Sequence, residues 1–212
     1  MDGKSSLQSH FGAEQADFVS LVRGLRDEQW TTPSLCERWT VRDVVTHATW
    51  HIHRGRREIL SFLFRTTLSG FRKAEERQLA RDGARSEAGL VEWLASPGRC
   101  NRVNLGEMMI HQQDVRRPLG LPRSIPEERI SWALNYCVTR AGAASLGAGS
   151  LRLSKGLRFF ATDIGWSAGQ GAEVHGPGEA ILMAVNGRTS AIDDLAGPGT
   201  KVLAERVAAS RK

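Results

Sequence analysis

Cysteine is scarce in this chain, with three residues in 212, Cys36, Cys100 and Cys137, and no paired spacing between them. That excludes a disulfide framework and a thiol zinc knuckle, and reduced thiols are the plain reading. Long apolar runs are missing too. The run ILSFLF from Ile59 to Phe64, set among arginines, falls far short of the roughly 20 residues of a membrane span. The opening MDGKSSLQSHFG lacks the apolar centre of a signal peptide, so a cytoplasmic protein is expected. Lysine is rare beside arginine, 5 against 24, which fits a GC-rich genome better than a functional choice. No internal repeat or low-complexity tract is visible.

What remains is an ordinary soluble composition, 41% hydrophobic and 25% charged, enough for a real core. A net charge of +6 and a pI near 9.8 raise nucleic acid as a partner. The arginines collect between residues 54 and 85, but Glu58, Glu75, Glu76 and Asp82 are interleaved with them. That mixture is the pattern of a solvated helix face and argues against nucleic-acid binding.

Before residue 148 the apolar spacing is helical. Phe11, Phe18, Leu21, Val22 and Leu25 mark a first helix. A second starts at about Val41, with Thr40 as N-cap, Asp43 completing a capping box and Trp39 able to staple onto Val44. A third spans the arginine-rich stretch and EAGLVEWLAS, ending at Pro97 and Gly98. GEMMIHQQDVRRPLG, residues 106 to 120, carries the fourth, and EERISWALNYCVTRAGAASL the fifth. After GAGS, LRLSKGLRFFATD alternates like one or two strands and GWSAGQGAEVHGPG is turn-rich. GEAILMAVNGR is a short apolar helix closed by Gly187, while GPGTKVLAERVAAS reads equally as strand or helix.

The fourth helix carries the chemistry. Glu107 and His111, four residues apart, share one helical face, and Asp114 follows on nearly the same stripe between apolar edges. A carboxylate on an inward face is costly unless paired or metal-bound, so the stripe reads as an internal ion pair with an arginine or as part of a ligand set. His47, two turns after the Thr40 cap, points inward and offers a third ligand, although a lone inward histidine also reads as a hydrogen-bonded core residue. His51 lies one turn further on the same face, and His53 is rotated towards the surface. Two imidazoles and one carboxylate would leave coordination positions open, as catalytic rather than structural zinc does. Asp114 fits a supporting acceptor for a ligand histidine or an arginine. Cys36, just before the capped helix, where a helix N-terminus could lower a thiol pKa, has no histidine near it in sequence and reads as structural or incidental, and His175 among its glycines and prolines reads as an exposed loop residue.

PSLCERWTVRDVVTHATWH, GEMMIHQQDVRRPLGLPRSIP and GLRFFATDIGWSAGQGAEVHGPGEAILMAVNGR, in that order, resemble the mycothiol-dependent maleylpyruvate isomerase family, related to the DinB-like metalloenzymes. The resemblance implies an α+β chain: a four-helix bundle in up-down-down-up order over residues 1–147 and a small α/β domain over 148–212. It implies that His47, Glu107 and His111 hold a divalent metal, most simply zinc, and that mycothiol is the thiol cofactor. Arg116 and Arg117 are candidates to bind that cofactor, or simply answer the helix dipole. His51 is left as a fourth ligand, a proton shuttle or packing.

The activity implied is activation of mycothiol as a metal-bound thiolate for addition to an electrophilic small molecule. The interval from His47 to Glu107 is shorter than in the founding isomerase and forms the pocket wall, so an S-transferase type is expected ahead of isomerisation. The alternative is a non-catalytic metal-containing module that engages a partner through the bundle and the C-terminal domain. Exposed apolar positions on the fifth helix would serve a homodimer or pack on the C-terminal domain.

Overall fold

The structure, a computed structural model, describes residues 3–138 and 148–210. It falls into two compact units, Met1–Leu121 and Pro122–Lys212. The first contains α1 (Gly3–Arg23), the short α2 (Asp27–Trp30), α3 (Val41–His53), α4 (Arg56–Ser69), α5 (Phe71–Asp82), α6 (Glu87–Ala95) and α7 (Arg102–Arg116). Helices α1 and α3 each pack on both α6 and α7, which closes a four-helix ring. Phe11 and Phe18 of α1, Leu90 and Leu94 of α6, and Leu105 and Met108 of α7 are fully buried in it. Each such side chain contributes about 1.5–3 kcal/mol by leaving water. Outside the ring, α5 packs on α3, and α4 packs on α5.

Thr40 caps α3 as its sequence predicts, accepting from the Asp43 N–H while the Asp43 carboxylate accepts from the Thr40 N–H. The expected single third helix is instead three. Gly70, at φ 81°, breaks the first pair, and a fresh cap, the Ser86 hydroxyl accepting from Gly89 N–H, starts α6. Interleaved charge disguised that punctuation, because an arginine-rich surface stretch has no apolar period to interrupt. Among the described residues no helix is long and apolar enough to cross a membrane.

The second unit holds α8 (Glu127–Val138), α9 (Ala148–Ser154), strands β1 (Leu157–Ala161), β2 (Ser167–Gly169) and β3 (Ala172–Gly176), α10 (Gly178–Val185), a 3-10 turn at Thr189–Asp194 and α11 (Thr200–Ala209). The sheet order is β2-β1-β3, with β1–β2 antiparallel and β1–β3 parallel. The chain crosses from β2 to β3 within two residues, and glycine makes this feasible. Gly169 and Gly171 adopt φ 89° and 124°, and a Cβ there would collide with Leu157 O and Gly156 O respectively. Helix α10, buried from Ala180 to Val185, packs on β1 and β3.

The fold class is α+β, as expected, with differences of detail. Only the second half of LRLSKGLRFFATD is strand; its first residues form α9. The turn-rich glycine segment contains β2 and β3, and the ambiguous final segment is helix α11. The fifth helix, α8, groups with the second unit, whereas the expected domain boundary followed it at 147/148. Residues 139–147, which carry the end of that expected helix and reach this boundary, lie outside the described residues.

Candidate metal centre

Helices α3 and α7 are neighbours in the ring, and each turns a polar stripe towards the other. From α3 come His47 and His51; from α7 come Asn104, Glu107, His111 and Asp114. One ligand atom from each of His47, Glu107 and His111 lies within 4.8 Å of the others. His111 Nε2 faces Glu107 Oε2 at 3.2 Å, and the His47 and His111 ring centroids are 5.0 Å apart. Both imidazoles are buried, whereas the Glu107 side chain keeps 17% of its surface exposed, so the carboxylate marks the mouth.

The other nitrogen of His111 is equally defined. Its Nδ1–H donates to Asp114 Oδ2 at 2.9 Å, and the Cys36 thiol donates to the same oxygen at 3.1 Å. Asp114 is fully buried. The loop carrying Cys36 is tied down by Leu35 N–H, which donates to the Asp114 carbonyl at 3.2 Å. This carboxylate–imidazole arrangement fixes the tautomer and raises the basicity of Nε2. The sequence reading of Asp114 as a supporting acceptor agrees with this geometry. That Cys36 belongs to the same group was not legible, because the contact spans 78 positions.

His51 stands beside this set. Its Nδ1 pairs with Asn104 Oδ1 at 3.2 Å, and its Nε2 lies 3.8 Å from Glu107 Oε2. Burial pushes its imidazole down to about 4, so it is neutral with an Nε2 lone pair turned towards the carboxylate. His53 is not a surface residue. It bonds Thr49 O and the Ser96 hydroxyl and stacks on Trp93, joining α3 to α6. Arg116 donates from Nε to Gln112 Oε1 at 2.9 Å and from Nη1 to Leu121 O at 3.4 Å, and Arg117 is the C-cap of α7. His175 sits in β3 rather than a loop, stacked on Phe160 at 4.8 Å.

The electrostatics follow from packing. Burial holds His47 well below the usual imidazole value, and His111 and His51 push it the same way. Burial opposes ionisation of both Glu107 and His111, yet Glu107 is lowered by the imidazoles of His51, His111 and His47. Against the same burial, hydrogen bonds with Asp114, Cys36 and Glu107 raise His111 well above its usual value. Without a metal, the proton on His111 is therefore the cation that the two carboxylates share.

A divalent ion fits this donor set. His47 Nδ1 is buried with no hydrogen-bond partner among the described residues, two neutral-capable imidazoles face one carboxylate, and one imidazole already has its orienting carboxylate. Trp39 closes one side, 4.8 Å from the His47 ring and 6.5 Å from His111.

Glu75 of α5 escaped the sequence reading, although it sits next to Ala74 and three residues before Gln78, both buried on that helix. Burial pushes its carboxyl up to about 7, with His111 opposing and the Glu107 charge reinforcing the rise. Ionising Glu75 therefore costs stability. The cost is absent below about 4.5, grows to about pH 7 and persists above it. Screened by solvent, it amounts to about 1 kcal/mol. Glu75→Gln is expected to raise the melting temperature of the metal-free protein by roughly 2–4 °C at pH 8 and to leave it unchanged at pH 5. Calorimetry at both values checks this.

Residues 11–99 match the family model described as "Mycothiol maleylpyruvate isomerase N-terminal domain". A solved structure described as the "Crystal structure of the mycothiol-dependent maleylpyruvate isomerase" superimposes with a TM-score of 0.55 at 12% identity, covering 92% of this chain and 93% of that one. At that identity the likeness concerns the fold. No curated protein matches the chain by sequence.

Proposed function

Because residues 11–99 match the family model of the mycothiol maleylpyruvate isomerase N-terminal domain, we propose that this chain is a metal-dependent thiol enzyme. Its thiol is mycothiol, and its second substrate is a small electrophile, in an S-transferase or isomerase type of reaction. The observation that carries the reading is the convergence of His47, Glu107 and His111, with His111 oriented by Asp114 and Glu107 left at the mouth. Those three side chains hold the ion, zinc by default, although such a donor set also accepts nickel, cobalt or manganese. The ion supplies the positive charge that keeps a thiol, with a free pKa near 8.5, in its nucleophilic thiolate form at neutral pH.

The chain's own groups do the rest. Glu107 offsets part of the ion's charge, and the buried imidazoles contribute none, so positive charge remains to attract a thiolate. Asp114 keeps the proton of His111 on Nδ1 and its Nε2 turned to the centre. Neutral His51, its Nε2 3.8 Å from the Glu107 carboxylate, offers a relay for the thiol proton. Trp39 and Trp50 keep water from the rear of the site, each within 6.2 Å of the His47 ring by centroid. Arg116 and Arg117 stay as cofactor contacts in this proposal only by their nearness along α7.

Titrating cobalt-substituted protein with mycothiol is the test. A thiolate-to-metal absorption band that saturates with mycothiol and is weaker with glutathione is expected. A protein that binds one cobalt per chain yet shows no band with either thiol would favour the non-catalytic module instead.

A further inference from the structure

Among the buried polar atoms with no hydrogen-bond partner in the described residues are His47 Nδ1 and Trp50 Nε1 on α3 and Gln78 Oε1 on α5. Such groups are uncommon, because each bears the full cost of losing water. These three are complementary. The indole Nε1 carries a hydrogen, a neutral histidine that presents Nε2 to an ion carries one on Nδ1, and an amide oxygen accepts twice.

Packing brings the three groups together. Helix α5 lies on α3, and Arg42 of α3 fixes its far end by donating from Nη2 to Gly83 O at 3.1 Å. Gln78 is buried and lines the same cavity as Trp50, whose ring is 6.2 Å from that of His47. The Gln78 side chain is a hydrogen-bonding neighbour of the His47 ring, short of a formed bond. Its amide is also held the right way round. Gln78 Nε2 donates to Asp82 Oδ2 at 3.2 Å, and Arg81 grips Asp82 through Nη2 at 2.7 Å and Nε at 3.1 Å. Such partners tell the two ends of an amide apart, and with the nitrogen spent on Asp82 the oxygen is the end left for α3.

We infer that Gln78 is a positioning residue for the metal centre: its Oε1 accepts from His47 Nδ1–H, keeps the proton on that nitrogen and turns Nε2 towards the ion, while its second lone pair takes Trp50 Nε1–H. Histidine χ2 is a broad torsion, so the ring can settle onto the amide oxygen with both helices in place. The inference rests on the metal reading and extends it, because Asp114 supports His111 in the same way from within α7. The two supports differ in charge. Asp114 is an anion, whereas the Gln78 amide is neutral, so His47 is oriented without subtracting from the positive charge that attracts a thiolate.

Zinc binding by the full chain, measured by chelator competition in the parent, Gln78→Met and Gln78→Glu, tests this. Methionine keeps the length of the side chain and removes the acceptor, and glutamate keeps an acceptor oxygen. Gln78→Met is expected to bind zinc about 10–100-fold more weakly, and Gln78→Glu to restore most of that loss. Nitrogen-15 spectra of the histidine-labelled, zinc-loaded protein read the His47 ring directly. The parent should show zinc on Nε2 and a proton on Nδ1, whose resonance moves upfield in Gln78→Met. A merely structural role would lower the melting temperature of Gln78→Met and leave that resonance in place. Unchanged zinc affinity in folded Gln78→Met, or a parent His47 bound through Nδ1, overturns the inference with the metal reading intact, and the second result requires no variant to fold. A parent that binds no zinc overturns both.

Discussion

His47→Ala is expected to abolish binding of the proposed divalent ion, at a metal-free stability cost no larger than truncation of a buried side chain ordinarily brings. In the proposed set, His47 is one of three protein ligands, and loss of a mere supporting contact already costs about 10–100-fold in affinity. Removal of a ligand itself should exceed about a hundredfold, near 2.7 kcal/mol or more. The metal-free cost has a different origin. The buried His47 ring is neutral and its Nδ1 has no partner among the described residues, so the loss comes from the cavity and the missing ring contacts, Trp39 and Trp50 among them, about 1–3 kcal/mol. Metal content by mass spectrometry and melting curves with and without chelator separate the two effects. Unchanged ion content would make His47 an ordinary core residue and end the metal reading.

Asp114→Ala carries the second large effect, and it falls on both stability and metal. The carboxylate is fully buried and accepts from His111 and from Cys36. Removing it leaves the His111 imidazolium with Glu107 alone and the Cys36 thiol without its acceptor, a loss of up to about 3 kcal/mol in the metal-free protein, and lowers the affinity of the proposed ion about 10–100-fold by freeing the His111 ring. Asp114→Asn, which keeps the shape and an acceptor oxygen, should fall between. If Asp114→Ala melted like the parent and bound metal equally well, the orienting role would be wrong.

The same contacts set a pH profile for the metal-free protein. His111 is raised in the folded state, so its contribution is complete below about 6.5 and fades as pH climbs through the raised value. Glu107 is lowered, so its contribution is complete above about 4.5 and fades as pH falls through the depressed value. Together they favour greatest metal-free stability between those limits. Uptake of the proposed ion at neutral pH would displace the His111 proton, so ion affinity is expected to rise with pH.

The sequence by itself determined the elements whose cause is local. Thr40 and Asp43 specify the start of α3 through their own backbone contacts, and the apolar stripe of Phe11, Phe18 and Val22 specifies α1. The four-residue step from Glu107 to His111 put both groups on one face of α7, because a helix turns by a constant angle. That same arithmetic picked out His47 on α3. It failed where charge hid the punctuation, at Gly70 and Ser86, and where pairing partners are remote, as in the short strands around Gly169 and Gly171.

Only the tertiary structure decided the rest, since side chains from separate elements meet through packing and not through periodicity. Docking of α3 on α7 gathers His47, Glu107 and His111. The tether from Leu35 to Asp114 delivers Cys36, and the close fit of α5 against α3 sets the protonation of Glu75 and brings Gln78 up beside Trp50. Proximity across dozens of residues is settled by which apolar faces bury together, and a charge takes its pKa from whatever that burial leaves next to it.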